Sequence, residues 1–304
     1  MKPLSKTRDT YTGSFVARRR RKRARAAIAI ATVLCAVTAT CLVLWRSGFF
    51  SRFEDSRPVA KADILEAWGS GRIADVRAMA LQSLAASPLD AFYLAFRGFS
   101  AYYQSVELPE GEERTALTDE TIVSLRKALA IGGSPPRSRA EYILGKAYYG
   151  KGRAYYDLAV KYLESSIAAG YASTDGREYL AVAYAGQGEL GKAVENFDAA
   201  LAHSRTEMLL LAAAKANVEA GDDEKAEALL AEALALGDDA LARHQSMLLL
   251  GDIRRARGDF EGAAKQLLQA LETDPDSAEA HYRLGLVYAD TGDGVKARAE
   301  WRKA

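Results

Sequence analysis

Cysteine is nearly absent. The chain of 304 residues has two, Cys35 and Cys41, both inside one apolar run, so nothing beyond residue 41 can form a disulfide framework or a cysteine-based metal site. Proline is also scarce, with seven residues, and Ala, Leu, Glu, Lys and Arg fill long stretches between them. These are strong helix formers, and an all-α chain is the first expectation. Histidine occurs three times, at His203, His244 and His281, never with carboxylates at a spacing such as H-E-x-x-H, so no metal is expected. No Walker-type glycine loop and no G-x-S-x-G elbow is present; the Gly-Lys within LGKAYYGKGRAYY (Leu144 to Tyr156) lacks the phosphate-loop spacing. No cofactor and no enzymatic activity are expected.

Charge of one sign is lacking overall, since the formal net charge is +1, but it is unevenly placed. Residues 1–25 hold ten Lys/Arg and one acidic residue, Asp9, giving +9; the remainder is therefore −8. A mildly acidic body argues against nucleic-acid binding. Hydrophobic residues make up 49% and charged residues 27%, a globular composition.

One long uncharged run exists. Residues 26–45 read AAIAIATVLCAVTATCLVLW, bracketed by Arg25 and Arg46. As a helix it would rise about 30 Å, the thickness of a bilayer's hydrocarbon core. Trp45, Phe49, Phe50 and Phe53 sit where an interfacial aromatic belt belongs, and Arg18 to Arg21, Lys22, Arg23 and Arg25 crowd the other end. The ending LVLWRSG lacks a small-residue cleavage pattern, and Thr40 before Cys41 does not suit a lipoprotein signal. The expectation is a basic cytoplasmic tail (1–25), an uncleaved transmembrane helix (26–45) contacting the membrane, and a juxtamembrane linker (46–56). The positive-inside rule then places the rest of the chain outside the cytoplasm.

Beyond residue 56 a pattern returns about every 34 residues. The last copy, Ala278 to Ala304, carries Leu284, Gly285, Tyr288, Gly292, Ala297, Trp301 and Ala304. In the same phase come Leu250, Gly251, Gly258, Ala263, Leu267, Ala270 and Pro275; then Ala214, Gly221, Ala226, Leu230 and Ala233; then Leu180, Ala181, Tyr184, Gly188, Ala193, Phe197 and Ala200. A further copy shows Leu144, Gly145, Tyr148 and Gly152, with Ala159 and Leu163 after a two-residue insertion. This pattern resembles the tetratricopeptide repeat (TPR). Small residues at positions eight and twenty let two helices approach, a glycine near fifteen turns the chain, and large residues at seven, eleven and twenty-four fill the space between helices.

Five units cover 138–304. Two degenerate ones cover 57–137, keeping Gly71, Pro88, Gly98, Leu125 and Ala128. An acidic insertion at 105–120, SVELPEGEERTALTDE, reads as a loop. The expected fold is all-α: a transmembrane helix, then a superhelical solenoid of about seven hairpins. No polar capping helix follows the last unit, which leaves its face open to self-association.

The resemblance implies a partner groove lined by the first helix of each unit, mainly at positions two, five, nine and twelve. That selects Phe92, Phe99 and Tyr102 with Phe96 and Tyr103 beside them, then Arg139, Tyr142, Lys146 and Tyr149, then Glu178 and Tyr179. TPRs that clamp chaperone C-termini use a lysine at position five and asparagines at six and nine. Tyr142, Ile143 and Lys146, or Leu211, Ala212 and Lys215, stand there instead, which argues against that clamp. The layout is similar to single-span TPR proteins of the bacterial envelope, implying a scaffold for a protein partner at the inner membrane. The alternative is a periplasmic TPR protein holding a hydrophobic small molecule in connection with transport.

Overall fold

The computed structural model describes residues 57–133, 136–171 and 173–304. The tail, span and linker expected over residues 1–56 lie outside the described residues. Among the described residues no helix is long and apolar enough to cross a membrane. This corrects the expected localisation: each of the fourteen described helices is too short or too polar, and none supports a single-pass inner-membrane protein with an extracytoplasmic repeat domain.

The chain divides into two compact units. The described part of one is residues 57–59 and 82–88, tied by the Val59 amide donating to Ser83 Oγ at 3.0 Å. The other comprises 60–81 and the described residues from 89 onward, and it holds the helical hairpins.

Fourteen helices follow one another among the described residues, with no strand between them. They are α1 (Lys61–Gly69), α2 (Ile73–Ala86), α3 (Ala91–Glu107), α4 (Glu112–Ile131), α5 (Arg137–Gly150), α6 (Tyr156–Ala168), α7 (Gly176–Gln187), α8 (Leu190–Leu201), α9 (Glu207–Glu219), α10 (Asp223–Leu236), α11 (Ala240–Ala256), α12 (Phe260–Thr273), α13 (Ala278–Asp290) and α14 (Gly294–Trp301). A short 3-10 turn, Arg153–Tyr155, precedes α6 and absorbs the two-residue insertion of that repeat. From α3 onward each odd-numbered helix packs most extensively on the even-numbered helix after it.

The spacing of residue types accounts for this packing. At position eight of the third repeat, a Cβ added to Gly145 would lie 2.5 Å from Leu163 Cγ, so only hydrogen fits where α5 crosses α6. Leu144 and Leu163 are wholly buried beside it. The turn glycine at position fifteen takes the left-handed conformation, as at Gly188 with φ 82° directly after α7. Helix starts are capped by short acidic or hydroxyl side chains: Asp222 Oδ1 accepts from the Lys225 amide at 3.0 Å, and Asp239 Oδ1 from the Ala242 amide at 2.9 Å. His244 lies in the second turn of α11, because Asp239 caps that helix a turn earlier.

The insertion at 105–120 is not a loop. Only Leu108 to Gly111 interrupts the helices; Ser105 to Glu107 end α3, and Glu112 onward is α4. The stretch from Glu112 contains neither Gly nor Pro, and it buries Leu117, Thr121 and Leu125 at helical spacing. Its acidity places Glu112 and Glu113 in the first turn, where carboxylates complement the helix dipole. Glu120 then ties three helices together: Arg77 of α2 donates to it through Nη2 at 2.6 Å and Nε at 3.0 Å, and Arg97 of α3 through Nε at 2.9 Å.

Successive odd-numbered helices touch one another from α3 to α13, whereas successive even-numbered helices do not reach comparable contact. The odd-numbered helices therefore form the tighter layer. Their shared face is where repeat positions two, five, nine and twelve meet.

Candidate functional site: the face of α3, α5 and α7

Position nine of one repeat faces position two of the next, and this juxtaposition recurs along the array. Arg139 is at position two of the third repeat, and its guanidinium carbon lies 5.4 Å from the ring centroid of Phe99, at position nine of the second. Lys146, at nine, donates to Asp175, at two, with Nζ 2.7 Å from Oδ2. Lys215 Nζ donates to Gln245 Oε1 at 2.9 Å in the same relation two repeats later. Asp252 pairs with Arg283 at 2.9 Å, which also holds Glu279 at 2.6 Å. Residues at nine and two are thus the struts between hairpins before they are anything else.

Four of the expected groove residues are not open surface. Phe92, Phe96, Phe99 and Tyr102 are all buried, with Phe99 only 1% exposed. Trp68 of α1 lies against part of this cluster, its ring 5.6 Å from Phe96 edge-on, 6.1 Å from Phe99 and 5.5 Å from Tyr103, while Phe92 packs on Phe96 and Tyr93. The expected aromatic groove is corrected there: a tryptophan from the degenerate first repeat fills it. Arg139 lies over the same ring at 5.1 Å.

The remaining candidates do converge. Lys146 is the centre, its ammonium 4.5 Å from the Tyr179 ring centroid, 5.2 Å from Tyr142 and 5.8 Å from Tyr102. Its Nζ also donates to Tyr142 Oη at 3.2 Å, and the Tyr142 hydroxyl donates to Asp175 Oδ1. Tyr171 lies against Tyr142 with centroids 5.0 Å apart. Tyr149 meets the Tyr179 ring edge-on at 5.0 Å and stacks on Tyr156 at 5.4 Å. Three rings, one phenolic oxygen and one carboxylate enclose a single cation.

Electrostatics follow from this enclosure. Burial opposes the Lys146 charge, but the hydrogen bond to Asp175 and the facing tyrosines overcome it, holding the ammonium above the ordinary lysine range. Burial pushes the Tyr102 phenol up to about 12, against the pull of Lys146. Tyr142 rises through burial and through the hydrogen bond it donates to Asp175. Glu178, one turn after Asp175, has no hydrogen bond or ion pair among the described residues. Burial and the Asp175 charge lift it above the usual carboxylate range, against the attraction of Lys146.

Sequence reasoning missed Asp175, Trp68, Tyr156 and Tyr171. Asp175 was available by counting, since it is position two of the fourth repeat. Trp68 was not, because its repeat has lost the landmarks that set the phase. Tyr156 follows the insertion, and Tyr171 lies between repeats.

The histidines do not meet. His203 Nδ1 is 2.9 Å from the Ala199 carbonyl, and His244 contacts the hydroxyls of Thr273 and Ser277 at 3.2 and 3.1 Å. His281 is buried and is also a polar tie: Nδ1 lies 2.6 Å from Glu300 Oε2 and Nε2 3.1 Å from the Pro275 carbonyl.

Two family models match the chain: a tetratricopeptide repeat over residues 142–207 and a TPR repeat over residues 251–292. No curated protein matches it. Among solved structures, it is similar to the C-terminal part of a TPR repeat-containing protein from Cytophaga hutchinsonii, with 13% identity and a TM-score of 0.59, over 80% of this chain and 93% of that one. It is also similar to residues 41 to the end of MamA from Desulfovibrio magneticus, with 18% identity and a TM-score of 0.50, over 56% of this chain and 94% of that one. At these identities the likeness concerns the fold alone. Both family matches fall on the stretches where the 34-residue spacing and the glycine turns recur in phase, so residues 142–207 and 251–292 of this chain are tetratricopeptide repeats.

Proposed function

We propose that this protein is a non-enzymatic scaffold that binds protein partners through the face of α3, α5 and α7, with Tyr142, Lys146, Tyr149, Glu178 and Tyr179 at its centre. The observation that supports it most is the cluster around Lys146. Rings held rigidly against one another present a contact surface that loses little side-chain entropy on binding, and tyrosine and arginine are enriched where binding energy concentrates. The half-buried Tyr142, Tyr149 and Tyr179 retain accessible area, while the struts beneath them fix their positions.

The small-molecule alternative has less support. A depression of about 740 Å³ lies at the start of α4 and the end of α5, but Glu110, Glu112, Arg114, Asp119 and Lys151 line it, which suits no hydrophobic ligand. Site-specific photo-crosslinking tests the proposal. A benzophenone side chain replacing Tyr149 in the full chain should capture a protein in the source cells. The same group at Leu268, exposed on α12, should capture none. Equal yields at both positions would refute the assignment of this face.

A further inference from the structure

The charges on the α3–α5–α7 face do not cancel, and what is left over has a pattern. Lys146 and Asp175 neutralise one another, with the Tyr142 hydroxyl bonded to both. Arg139 has no such partner. Its guanidinium is stacked on Trp68 and Phe99, at 5.1 and 5.4 Å, and has no carboxylate within ion-pair distance among the described residues. Of its three nitrogens only Nε is sealed from solvent without a hydrogen bond. An arginine is charged at every physiological pH, and stacking on a ring leaves its donor edge free for a bidentate carboxylate. Phe99 at position nine cannot neutralise it as Asp175 neutralises Lys146.

Glu178 is the opposite case, a half-buried carboxylate whose nearest cation is already engaged by Asp175. It lies one turn into α7, beside the edge-to-face pair Tyr149 and Tyr179.

We infer that this face takes an extended protein segment carrying both a carboxylate and a cationic side chain, the carboxylate seated on the Arg139 fork and the cation on Glu178. Charge complementarity carries the inference: a diacidic segment would leave Glu178 facing a like charge, and a dibasic one would do the same to Arg139. Mixed charge also fixes which way the segment runs, because reversal places both of its charges against their own sign. The inference rests on the reading of this face as the partner-binding surface.

The probe is a phage-displayed library of random decapeptides selected on the immobilised full chain. Selected segments should be enriched in an acid and a base at one fixed spacing and in one order. The best of them, synthesised with a fluorescein label, should lose about tenfold in affinity with Arg139→Gln and with Glu178→Gln, and less with Arg139→Lys. Glu178→Gln is isosteric at a position with no internal bond, so its effect cannot come from misfolding. Enrichment of acids alone, no enrichment, or unchanged affinity in both variants would overturn the inference. If Tyr149→Ala abolishes binding while the charge variants leave it intact, the surface stands and the charge pattern falls. If Tyr149→Ala also has no effect, the surface assignment fails with it.

Discussion

Gly145→Ala is expected to destabilise the third hairpin, although alanine is the better helix former. Two terms compete. In a helix interior, alanine is favoured over glycine by about 1 kcal/mol. Against this, the new Cβ would sit 2.5 Å from Leu163 Cγ, 2.9 Å from its Cδ2 and 3.1 Å from its backbone nitrogen. Cγ is the branch point of a wholly buried side chain, so rotation at the tip cannot clear it, and the backbone nitrogen limits how far α6 can move. Overpacking of this kind costs about 1–3 kcal/mol, occasionally more, so the net effect is a loss of about 0–2 kcal/mol. Gly191→Ala in α8, where no atom lies within 4 Å of the added methyl, is the control and should stabilise by up to about 1 kcal/mol. A repeat array need not unfold in one step, so the local readout is hydrogen exchange of α5 and α6, with urea unfolding by circular dichroism alongside it. The decisive measurement is the pair: in a Leu163→Ala background the clash disappears, and Gly145→Ala should become neutral or stabilising. Equal costs in both backgrounds would refute the close-approach explanation for a glycine at position eight.

The acidic junction of α2, α3 and α4 should be pH-sensitive. Burial works against the Glu120 carboxylate, but the hydrogen bonds from Arg77 and Arg97 outweigh it and hold its pKa below the usual range. The stability it contributes is therefore present above the unfolded value of about 4.3 and is lost as pH falls through the folded one. Glu120→Gln should cost about 1–3 kcal/mol at pH 7, discounted because both arginines are partly exposed, and the gap from wild type should close on acidification. A constant gap in urea midpoints from pH 7 to pH 3 would contradict this. Asp175→Asn removes the charge that Lys146 and the Tyr142 hydroxyl share. It should loosen the start of α7 by about 1–2 kcal/mol, seen as faster exchange there and not in α11. His281→Leu removes the ring that Glu300 Oε2 and the Pro275 carbonyl contact and should cost about 1–3 kcal/mol. The loss should be confined to α13 and α14, and spread into α9 would argue against a local tie.

The hairpins were legible because their signals are local and repeated. A glycine about every 34 residues, a small residue seven before it and large residues at helical spacing each act within one helix pair, and five in-phase copies restate them. Insertion 105–120 failed for a related reason: acidity and one Pro-Glu-Gly cluster suggested a loop. Yet only four residues leave the helix, and the carboxylates belong to the first turn and to the Arg77–Arg97 junction. Phe92, Phe96 and Phe99 were misplaced because helix phase reports which side a residue faces, not what covers that side. Over Phe96 and Phe99 the cover is Trp68, from a repeat that keeps only Gly71 and Pro88 of its landmarks.

Within the site, periodicity treats positions two, five, nine and twelve as equivalent groove residues, and packing does not. Two and nine meet across adjacent helices, as in Lys146 with Asp175 and Lys215 with Gln245, so those residues spend their polarity on each other. Positions five and twelve flank the struts and keep exposed area, as Tyr142, Tyr149 and Glu178 do. A partner can use a strut residue only where its counterpart cannot neutralise it. That condition is met at Arg139, where position nine of the preceding repeat is Phe99, and its complement is Glu178, whose neighbouring lysine is already held. Converting Phe99 to an acid would, by the same logic, turn Arg139 into an ordinary strut and remove the free cation from the face.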